Sequence, residues 1–271
     1  MVASNRNVCV TFDLWETMII DEPERDMVRS RLRYEGLHGA LTDLGVQLPL
    51  NDLKRAYEES APRIQAIWQR NEHVPTIEQI RLIIELASKQ PAAIPPYPGS
   101  AEMLEKAYVE PLFAIPPRLN KDAVATLEGL RSRAHKIGLI SNTGRSPGEA
   151  LHRLLESYGV LRFFDATVFS DEVRCRKPDR KIFELAADRL GVDLTNMVHV
   201  GDDPEADIWG AKQAGMRALL FEHKMPDVFK WRPSSLFMLS RADRHMSGSE
   251  IMPDRLIESL TEALDFVDSL S

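Results

Sequence analysis

The sequence predicts an α/β fold, with a Rossmann-like parallel sheet covered by helices on both faces and an inserted α-helical domain. After Asn120, helical segments alternate with apolar runs of about five residues. Such alternation implies right-handed crossovers and a sheet that is buried on both faces. The N-terminal run "VCVTF", residues 8–12, has the same character and supplies a first strand. Between these parts the chain shows helical periodicity only, which indicates an insertion.

Composition narrows the class of protein. The 271 residues suit one large domain or a core with an insertion. The formal net charge is -7, so a basic surface for nucleic acid is not expected. Two cysteines, Cys9 and Cys175, do not make a disulfide scaffold and favour a reducing compartment. Because no apolar run approaches the ~20 residues of a membrane span and no signal peptide is evident, we expect a cytoplasmic protein without a membrane partner.

Three helices are predicted in the inserted stretch, from about Glu24 to Gln90. The first carries leucines at helical spacing and is closed by Gly45. Helix ends leave backbone N–H groups without partners, so capping residues are expected nearby. Asn51 suits the cap of the second helix, and Thr76 with Gln79 suits a capping box for the third.

Proline-rich segments flank the end of this helical stretch. They read "QPAAIPPYPGS" and "AIPPRL". Proline removes a backbone donor and breaks helices, so both segments indicate a hinge or linker. We therefore expect an α/β core formed by residues 1–20 and 118–271 and a helical cap formed by residues 21–117.

The remaining elements follow in regular order. Each predicted strand comes after a helix, and the tail ends in a predicted closing helix. In sequence these are the helix "KDAVATLEGLRSR", the strand "KIGLIS", the helix "PGEALHRLLESYG", the strand "ATVFS", the helix "DRKIFELAADRLG", the strand "MVHVG", the helix "PEADIWGAKQAG", the strand "RALLF" and the closing helix "DRLIESLTEALDFVDSL".

Polar strings follow four of the predicted strands. They are "DLWET", "SNTGR", "SDEV" with "RCRKP", and "GDDPEAD". In open α/β sheets, ligands bind just beyond the carboxyl ends of the strands. Acids, a hydroxyl–amide pair and one lysine are therefore expected to converge on one edge of the sheet.

The acids of these strings have two interpretations each. Asp13 suits a carboxylate nucleophile, but also a helix or turn cap. Mg²⁺ prefers hard oxygen ligands, and Asp202 at a strand end suits a direct ligand. Asp203 precedes Pro204, a favoured first helical residue, so it also suits an N-cap. Asp207 suits either the water shell of the metal or a first-turn carboxylate that the helix dipole favours.

The cation and the hydroxyl-rich turn are also ambiguous. Lys177 precedes a predicted helix start, where a cation opposes the helix dipole. Neutralising a carboxylate nucleophile and a phosphate explains it better than a solvated surface lysine does. Ser141, Asn142 and Thr143 offer donors for an oxyanion or phosphate, and Arg145 adds charge. An ordinary strand-to-helix turn explains the same residues.

The turn after the second predicted strand also contains a possible helix start. Ser146 and Glu149 have the spacing of a capping box, in which a hydroxyl and a carboxylate satisfy two backbone N–H groups reciprocally. The pair therefore predicts that the following helix is capped by Ser146.

Taken together, the strings resemble the haloacid dehalogenase-like hydrolase superfamily. "VTFDLWET", "GLISNTG", "RKPD" and "HVGDDPEAD" with "GAKQAGM" are similar to its four motifs, in order. The resemblance covers residues 8–20 and about 120–221, and the inserted helices resemble the superfamily's helical cap. It implies the phosphatase-type branch: a hydrolase that uses Mg²⁺ and forms an aspartyl-phosphate from a small phosphorylated metabolite.

The resemblance also implies a role for each motif position. The catalytic roles are a nucleophile, a hydroxyl that binds the transferring group and a cation. The metal roles are one direct carboxylate, supporting carboxylates and a main-chain carbonyl two residues after the nucleophile. The nucleophile is Asp13, the hydroxyl is Ser141 and the cation is Lys177. The direct metal ligand is Asp202, with Asp203 or Asp207 as the supporting carboxylate. Trp15 supplies the main-chain carbonyl, and Asp13 also contacts the metal.

The first motif, DxWxT, departs from the family pattern at Trp15. Family phosphatases usually have a second aspartate there as general acid and base, which typically contributes ~10²–10⁴-fold in rate. Indole has one N–H donor and no transferable proton near neutrality. The departure implies weak activity, a leaving group that needs little protonation, or an acid supplied by another residue such as Glu16. Trp15 also suits a pocket wall that stacks on substrate.

Three functions therefore remain open. A magnesium-dependent phosphatase fits the whole set of motifs. A carbon–halogen hydrolase of the 2-haloacid dehalogenase type fits Trp15, but the family's dehalogenases lack magnesium and do not keep the acidic fourth motif. A binding protein that keeps the fold fits the loss of the general acid, but not the retention of Asp13, Lys177 and Asp202. The oligomeric state is not readable from the sequence.

Overall fold

A computed structural model describes residues 8–89, 97–222 and 252–270. Its centre is a six-stranded sheet in which every neighbouring pair of strands is parallel. A separate two-stranded antiparallel ribbon pairs β2 with β3. The strands are β1 (Cys9–Phe12), β2 (Ile19–Ile20), β3 (Arg118–Leu119), β4 (Lys136–Ser141), β5 (Ala166–Phe169), β6 (Met197–Gly201), β7 (Arg217–Phe221) and β8 (Arg255–Ile257), and the large sheet has the order β5-β4-β1-β6-β7-β8.

Helices fill the segments between these strands. Four of them lie between β2 and β3 together with one short helix, and the others connect the strands of the large sheet. They are α1 (Pro23–Asp43), α2 (Leu50–Trp68), α3 (Thr76–Ser88), α4 (Ser100–Val109), α5 (Pro111–Ala114), α6 (Ala123–Ser132), α7 (Gly148–Ser157), α8 (Ser170–Val173), α9 (Arg180–Leu190), a π-helical segment (Pro204–Trp209) that continues into α10 (Gly210–Ala214), and α11 (Glu262–Asp268).

The predicted α/β fold is confirmed, with β1 at its centre. Val10 and Phe12 face one apolar cluster, whereas Cys9 belongs to a second cluster on the opposite face. This alternation is the period-two pattern of a strand that is buried on both faces. Because β1 lies between β4 and β6, the residues that follow these three strands meet at the middle of one sheet edge.

The four long helices of the insertion share an apolar cluster of their own. It includes Leu37, Leu53, Ile83 and Tyr108, one from each helix. The chain enters and leaves this helical block beside the β2–β3 ribbon. The division into a core of residues 1–20 and 118–271 and a cap of residues 21–117 stays a prediction.

A buried ion pair ties the helical block to the ribbon. The guanidinium of Arg29, on α1, pairs with the carboxylate of Asp21 and also donates to the Ile115 carbonyl at 3.0 Å. Arg29 is 1% exposed, so its charge is costly unless it is paired. Burial raises the pKa of Asp21 to about 6 despite the opposing charge of Arg29.

Two capping predictions in the helical block were wrong. α2 begins at Leu50 and α3 at Thr76, each directly after a proline in the N-cap position. The fixed φ of Pro49 and Pro75 sets up the first turn without a side-chain cap. Gln79 instead donates to the Val74 and Gly144 carbonyls, both at 3.1 Å. The Gln79 side chain is therefore bonded to other backbone groups and does not form the predicted capping box.

The capping box predicted for α7 was also wrong. α7 begins at Gly148, after Pro147. Its Gly148 N–H is bound by the carboxylate of Asp171 at 2.8 Å, and the Ser146 hydroxyl accepts instead from Arg33 at 2.9 Å. A remote residue thus caps this helix, which local spacing does not reveal.

The closing helix was predicted over too long a segment. Arg255–Ile257 form β8 beside β7, and only Glu262–Asp268 are helical. The carboxylate of Asp254 accepts from the Ala218 backbone N–H at 2.8 Å, which aligns the segment with β7. Of the proline-rich linker, residues 90–96 lie outside the described part of the chain. Within that part, no helix combines the length and apolar character needed to cross a bilayer.

Alanine substitutions at two glycines of α1 should change the stability of the protein in opposite directions. A Cβ on Gly36 would lie 2.9 Å from the Ala107 backbone oxygen of α4, whereas one on Gly39 would meet nothing within 4 Å. We expect Gly36→Ala to lower the free energy of unfolding by about 1–3 kcal/mol through overpacking. Gly39→Ala, the matched control, should raise it by about 0.5–1 kcal/mol. Urea unfolding followed by circular dichroism would measure both, and equal effects would contradict the close approach of α1 and α4.

Candidate active site

Asp13 stands at the carboxyl end of the central strand. Its backbone N–H donates to the Val200 carbonyl of β6 at 2.8 Å, which extends the sheet pairing by one residue. Its side chain is 10% exposed, and its Oδ1 lies 2.6 Å from Lys177 Nζ. The carboxylate is therefore fixed in place and keeps a narrow opening to solvent.

Lys177 is the centre of the polar cluster. Its ammonium donates to Asp13 Oδ1 and Asp207 Oδ1, both at 2.6 Å, and to the Ile140 carbonyl at 2.8 Å. An ammonium has three N–H donors, so these acceptors use all of them. Lys177 joins residues that are far apart in sequence and come from β1, β4 and the segment after β6.

Asn142 holds the backbone of Lys177. Its side-chain nitrogen donates to the Lys177 carbonyl at 2.9 Å, and its side-chain oxygen accepts from the Lys177 N–H at 2.8 Å. This two-bond clamp fixes where the Lys177 side chain starts. Asn142, predicted as a substrate-binding residue, is placed here as a positioning residue of the cation.

Asp207 is held from three sides. Besides Lys177, its Oδ1 lies 3.1 Å from His199 Nε2, and its Oδ2 accepts from the Asp203 N–H at 3.0 Å. His199 Nδ1 in turn lies 2.9 Å from Thr11 Oγ1. Gly201 leaves the room for this carboxylate, because a Cβ there would lie 2.3 Å from Asp207 Cγ.

Two carboxylates share one ammonium in this buried cluster, so their pKa values move apart. Burial raises the pKa of Asp13 to about 7, and the charge of Lys177 opposes this only in part. Asp207 is also deeply buried, but Lys177 and His199 hold its pKa below the ordinary range. Burial acts against the Lys177 ammonium, yet the two carboxylates outweigh it and raise the pKa of the lysine.

The acidic residues form a candidate metal centre. Asp13, Asp202 and Asp207 each offer a carboxylate oxygen, and these oxygens lie within 4.8 Å of one another. Carboxylate oxygens are the ligands that Mg²⁺ prefers, and it usually takes only one or two of them with water and phosphate. The donor set therefore fits Mg²⁺. Asp203 is not part of this set, because its side chain caps the next helical segment through the Glu205 and Ala206 N–H groups, both at 2.9 Å.

Ser141 and Thr143 have different surroundings in the turn after β4. The Ser141 hydroxyl is fully buried and has no hydrogen-bond partner within the described ranges. Such an orphaned hydroxyl at a ligand-binding edge calls for an explanation, and a bound anion supplies one. Thr143 is already bonded, through both its N–H and its hydroxyl, to Ser170 Oγ at 2.9 and 3.0 Å.

Arg145 extends into the helical block. Its guanidinium donates to Tyr108 Oη at 2.5 Å and to Ser60 Oγ at 3.0 Å, and it stacks 4.0 Å from the centre of the Tyr57 ring. Cation–π contact and hydrogen bonds together bury this charge. Arg145, predicted to add charge to a phosphate seat, is placed at the contact between the turn after β4 and the inserted helices.

Trp15 and Glu16 follow Asp13 in a tight turn. Trp15 is partly buried and packs against the apolar cluster on one face of the sheet. Glu16 has a φ of 58° and is 1% exposed. Its Oε1 accepts from the Asp21 backbone N–H at 3.0 Å. The structure thus uses the carboxylate of Glu16 within the turn that leads to the β2–β3 ribbon.

Sequence reasoning missed several residues that build the site. His199 lies inside an apolar strand, and the structure places its Nε2 beside Asp207. Ser170 and Arg176 support the Thr143 turn, with Arg176 Nη1 donating to the Thr143 carbonyl at 2.8 Å. A histidine in the middle of a buried strand is itself a signal, because a buried polar group needs a partner.

Comparison with known proteins places the chain in one family. The profile described as "Hydrolase: haloacid dehalogenase-like hydrolase" matches residues 8–215. A glyceraldehyde 3-phosphate phosphatase from Methanothermobacter thermautotrophicus is 38% identical over 108 residues, 40% of this chain and 46% of that protein. A protein of the same name from Methanopyrus kandleri is 29% identical over 76% of this chain and 80% of its own length. The chain thus spans about half the length of the first of these relatives.

Solved structures support the fold. The 2-haloacid dehalogenase from Pseudomonas syringae superimposes with a TM-score of 0.63 at 20% identity, covering 97% of this chain and 99% of that chain. At this identity the likeness bears on the arrangement of strands and helices alone.

The raised pKa of Asp13 predicts a pH dependence of stability in metal-free protein. With a pKa of about 7 when folded and about 3.9 when unfolded, Asp13 keeps a proton that the unfolded chain releases. The free energy of unfolding should therefore fall by up to about 1.4 kcal/mol per pH unit between about pH 4 and pH 7, and the contribution is lost above that window.

Asp13→Asn removes this titration and is the matched variant. Urea unfolding of both proteins in chelator, across that pH window, measures the difference. We expect the stability of wild type relative to the variant to decline as the pH rises. Parallel curves would show that Asp13 titrates alike in the folded and unfolded chains.

Proposed function

The chain belongs to the haloacid dehalogenase-like hydrolase family, and we propose that it is a Mg²⁺-dependent phosphatase acting on a small phosphorylated metabolite. One observation carries the proposal: Lys177 Nζ lies 2.6 Å from both Asp13 and Asp207, at the carboxyl edge of the sheet. The arrangement presents one carboxylate with a cation beside it, which is what attack on a charged phosphate requires.

In the proposed mechanism Asp13 is the nucleophile. An oxygen of its carboxylate bonds to phosphorus while the bond from phosphorus to the leaving oxygen breaks, which gives an aspartyl-phosphate and the released leaving group. Water then hydrolyses the aspartyl-phosphate to the free Asp13 carboxylate and inorganic phosphate. Lys177 offsets the negative charge of the carboxylate and the phosphate, and Asn142 keeps it in register. The buried Ser141 hydroxyl binds a phosphate oxygen and so finds the partner that it otherwise lacks.

A magnesium ion at this site would be held by the carboxylate oxygens of Asp13, Asp202 and Asp207. The family resemblance adds the Trp15 main-chain carbonyl as a further ligand. When bound, Mg²⁺ supplies neutralisation of the phosphate charge. Asp203 supports the site indirectly, because it caps the helical segment that carries Asp207.

The substrate class is proposed from the relatives. Two archaeal relatives are named as phosphatases of a small phosphorylated metabolite, and this supports a substrate of that size. The inserted helices reach the turn after β4 through Arg145, so they are the proposed source of substrate selection. A cytoplasmic location and the absence of a nucleic-acid partner stay predictions from composition.

A carbon–halogen hydrolase is the second candidate, favoured only by Trp15. Halide leaves without a proton, so this chemistry does not need a general acid. The acidic fourth motif with Asp202 and Asp207 counts against it, since the resemblance implies that the metal-free dehalogenases do not keep these acids. Chloride release from a 2-haloacid in chelator would favour the second candidate.

Asp13→Asn should abolish turnover of an activated ester. Wild type with Mg²⁺ is expected to release nitrophenol from p-nitrophenyl phosphate, and the amide cannot act as the nucleophile. Absorbance at steady state measures the rate, with unfolding curves to show that the variant is folded. Equal phosphate release by the two proteins would disprove the role of Asp13.

Asp202→Asn should weaken Mg²⁺ binding by more than ~10-fold, the least that loss of a metal's supporting group usually costs. Isothermal titration of the unliganded protein measures this without any substrate. Asp203→Asn is the matched control, because asparagine caps helices as well as aspartate does. If only Asp203→Asn lost Mg²⁺ affinity, Asp203 would be the metal ligand and Asp202 would not.

A further inference from the structure

We infer that this enzyme is specific for phosphate compounds whose leaving group departs as a stable anion, and that its aspartyl-phosphate is hydrolysed slowly. The inference rests on the proposed function and narrows its substrate class to aryl, enol and acyl phosphates and phosphoanhydrides. The inference is drawn from the acids and bases that lie near Asp13 in the described part of the chain.

Phosphate transfer to Asp13 and the later hydrolysis both involve a proton. In the first step Asp13 bonds to phosphorus, the bond to the leaving oxygen breaks, and its electron pair stays on that oxygen. An alkoxide needs a proton at this point, whereas a carboxylate or phenolate does not. In the second step water bonds to phosphorus and gives up a proton to the solvent, while the bond to Asp13 breaks and its electron pair returns to the carboxylate. A positioned acid or base typically contributes ~10²–10⁴-fold to each kind of step.

The turn after Asp13 supplies no such group. Trp15 has only an indole N–H, which is a donor without a transferable proton near neutrality. Glu16 is 1% exposed, and its Oε1 accepts a hydrogen bond from the Asp21 N–H in the same turn. Its φ of 58° lies in the left-handed region, which marks the sharp bend of the backbone at this turn.

The two side chains that contact Asp13 and Asp207 already have hydrogen-bond partners. Lys177 donates its three N–H groups to two carboxylates and to the Ile140 carbonyl. His199 is fully buried behind Asp207, with one ring nitrogen near Asp207 and the other near Thr11. Neither side chain can reach a leaving oxygen without abandoning these partners.

The other histidines that the structure describes have other surroundings. His135 directly precedes β4, at the amino end of the sheet, and His38 lies on α1. His152, on α7, lies 3.4 Å from Glu172, and the charges that act on His73 are those of Asp171, Arg174 and Arg176. Within the ranges 8–89, 97–222 and 252–270, Lys177 is therefore the one acid or base whose side chain is hydrogen-bonded to the Asp13 carboxylate, and it cannot serve both steps. The same missing group slows the first step for alkyl esters and the second step for every substrate.

The test is a rapid-quench experiment on wild type with Mg²⁺. With p-nitrophenyl phosphate and acetyl phosphate, we expect a burst of leaving group that approaches one equivalent of enzyme, followed by a slow steady rate common to both substrates. Intact mass after acid quench should show one added phosphoryl group. Glycerol phosphate, an alkyl ester, should give no burst and a rate ~10²–10⁴-fold lower.

Substitution of Trp15 separates this explanation from others. Trp15→Asp introduces a proton-transfer group and should raise the steady rate, remove the burst and narrow the gap between alkyl and aryl esters. Trp15→Phe, which adds no such group, should keep the burst and the trapped phosphoenzyme whatever its effect on substrate affinity. If Trp15→Phe removed the burst as Trp15→Asp does, proton transfer would not be the cause.

The inference and the proposed function fail in different ways. Turnover that depends on Asp13 but shows no burst, with alkyl and aryl esters hydrolysed at similar rates, would overturn the inference and keep the phosphatase. Absence of both phosphate release and trapped phosphoenzyme, or release that survives Asp13→Asn, would overturn the phosphatase itself.

Discussion

The candidate site depends on the ammonium of Lys177 and its two carboxylates. Asp13 and Asp207 both lie 2.6 Å from Lys177 Nζ, and each side chain is nearly excluded from water. Without the cation, two buried negative charges would repel each other at close range. One ion-pair cluster thus holds three separate segments of the chain at one edge of the sheet.

The surrounding backbone serves this cluster. Asn142 clamps the main chain of Lys177, His199 and the Asp203 N–H fix Asp207, and the missing side chain of Gly201 gives Asp207 its space. Hydrogen bonds in a dry interior are strong, and so is the cost of leaving one unmade. Rigid support suits a reaction that relies on positioning and charge more than on proton transfer.

Much of the fold was predicted correctly from the sequence pattern. The elements that were predicted wrongly depend on contacts with distant parts of the chain. The alternation after Asn120 identified the parallel sheet, because strands buried on both faces must be continuously apolar. The capping boxes at Thr76 and Ser146 were wrong because tertiary partners, Asp171 among them, occupied the side chains or N–H groups concerned. The closing helix was too long because the segment at Arg255 pairs with a sheet edge that its own sequence does not contain.

The family, the fold class and the polar residues that follow each strand could all be read from the sequence, because they depend on local periodicity and on contiguous motifs. The groups that these polar residues contact became visible only in the folded chain. Asn142 and Asp203 position other groups, Arg145 contacts the inserted helices, and Glu16 belongs to its own turn. Such roles depend on distances between segments that the chain brings together only on folding, so no spacing along the sequence encodes them.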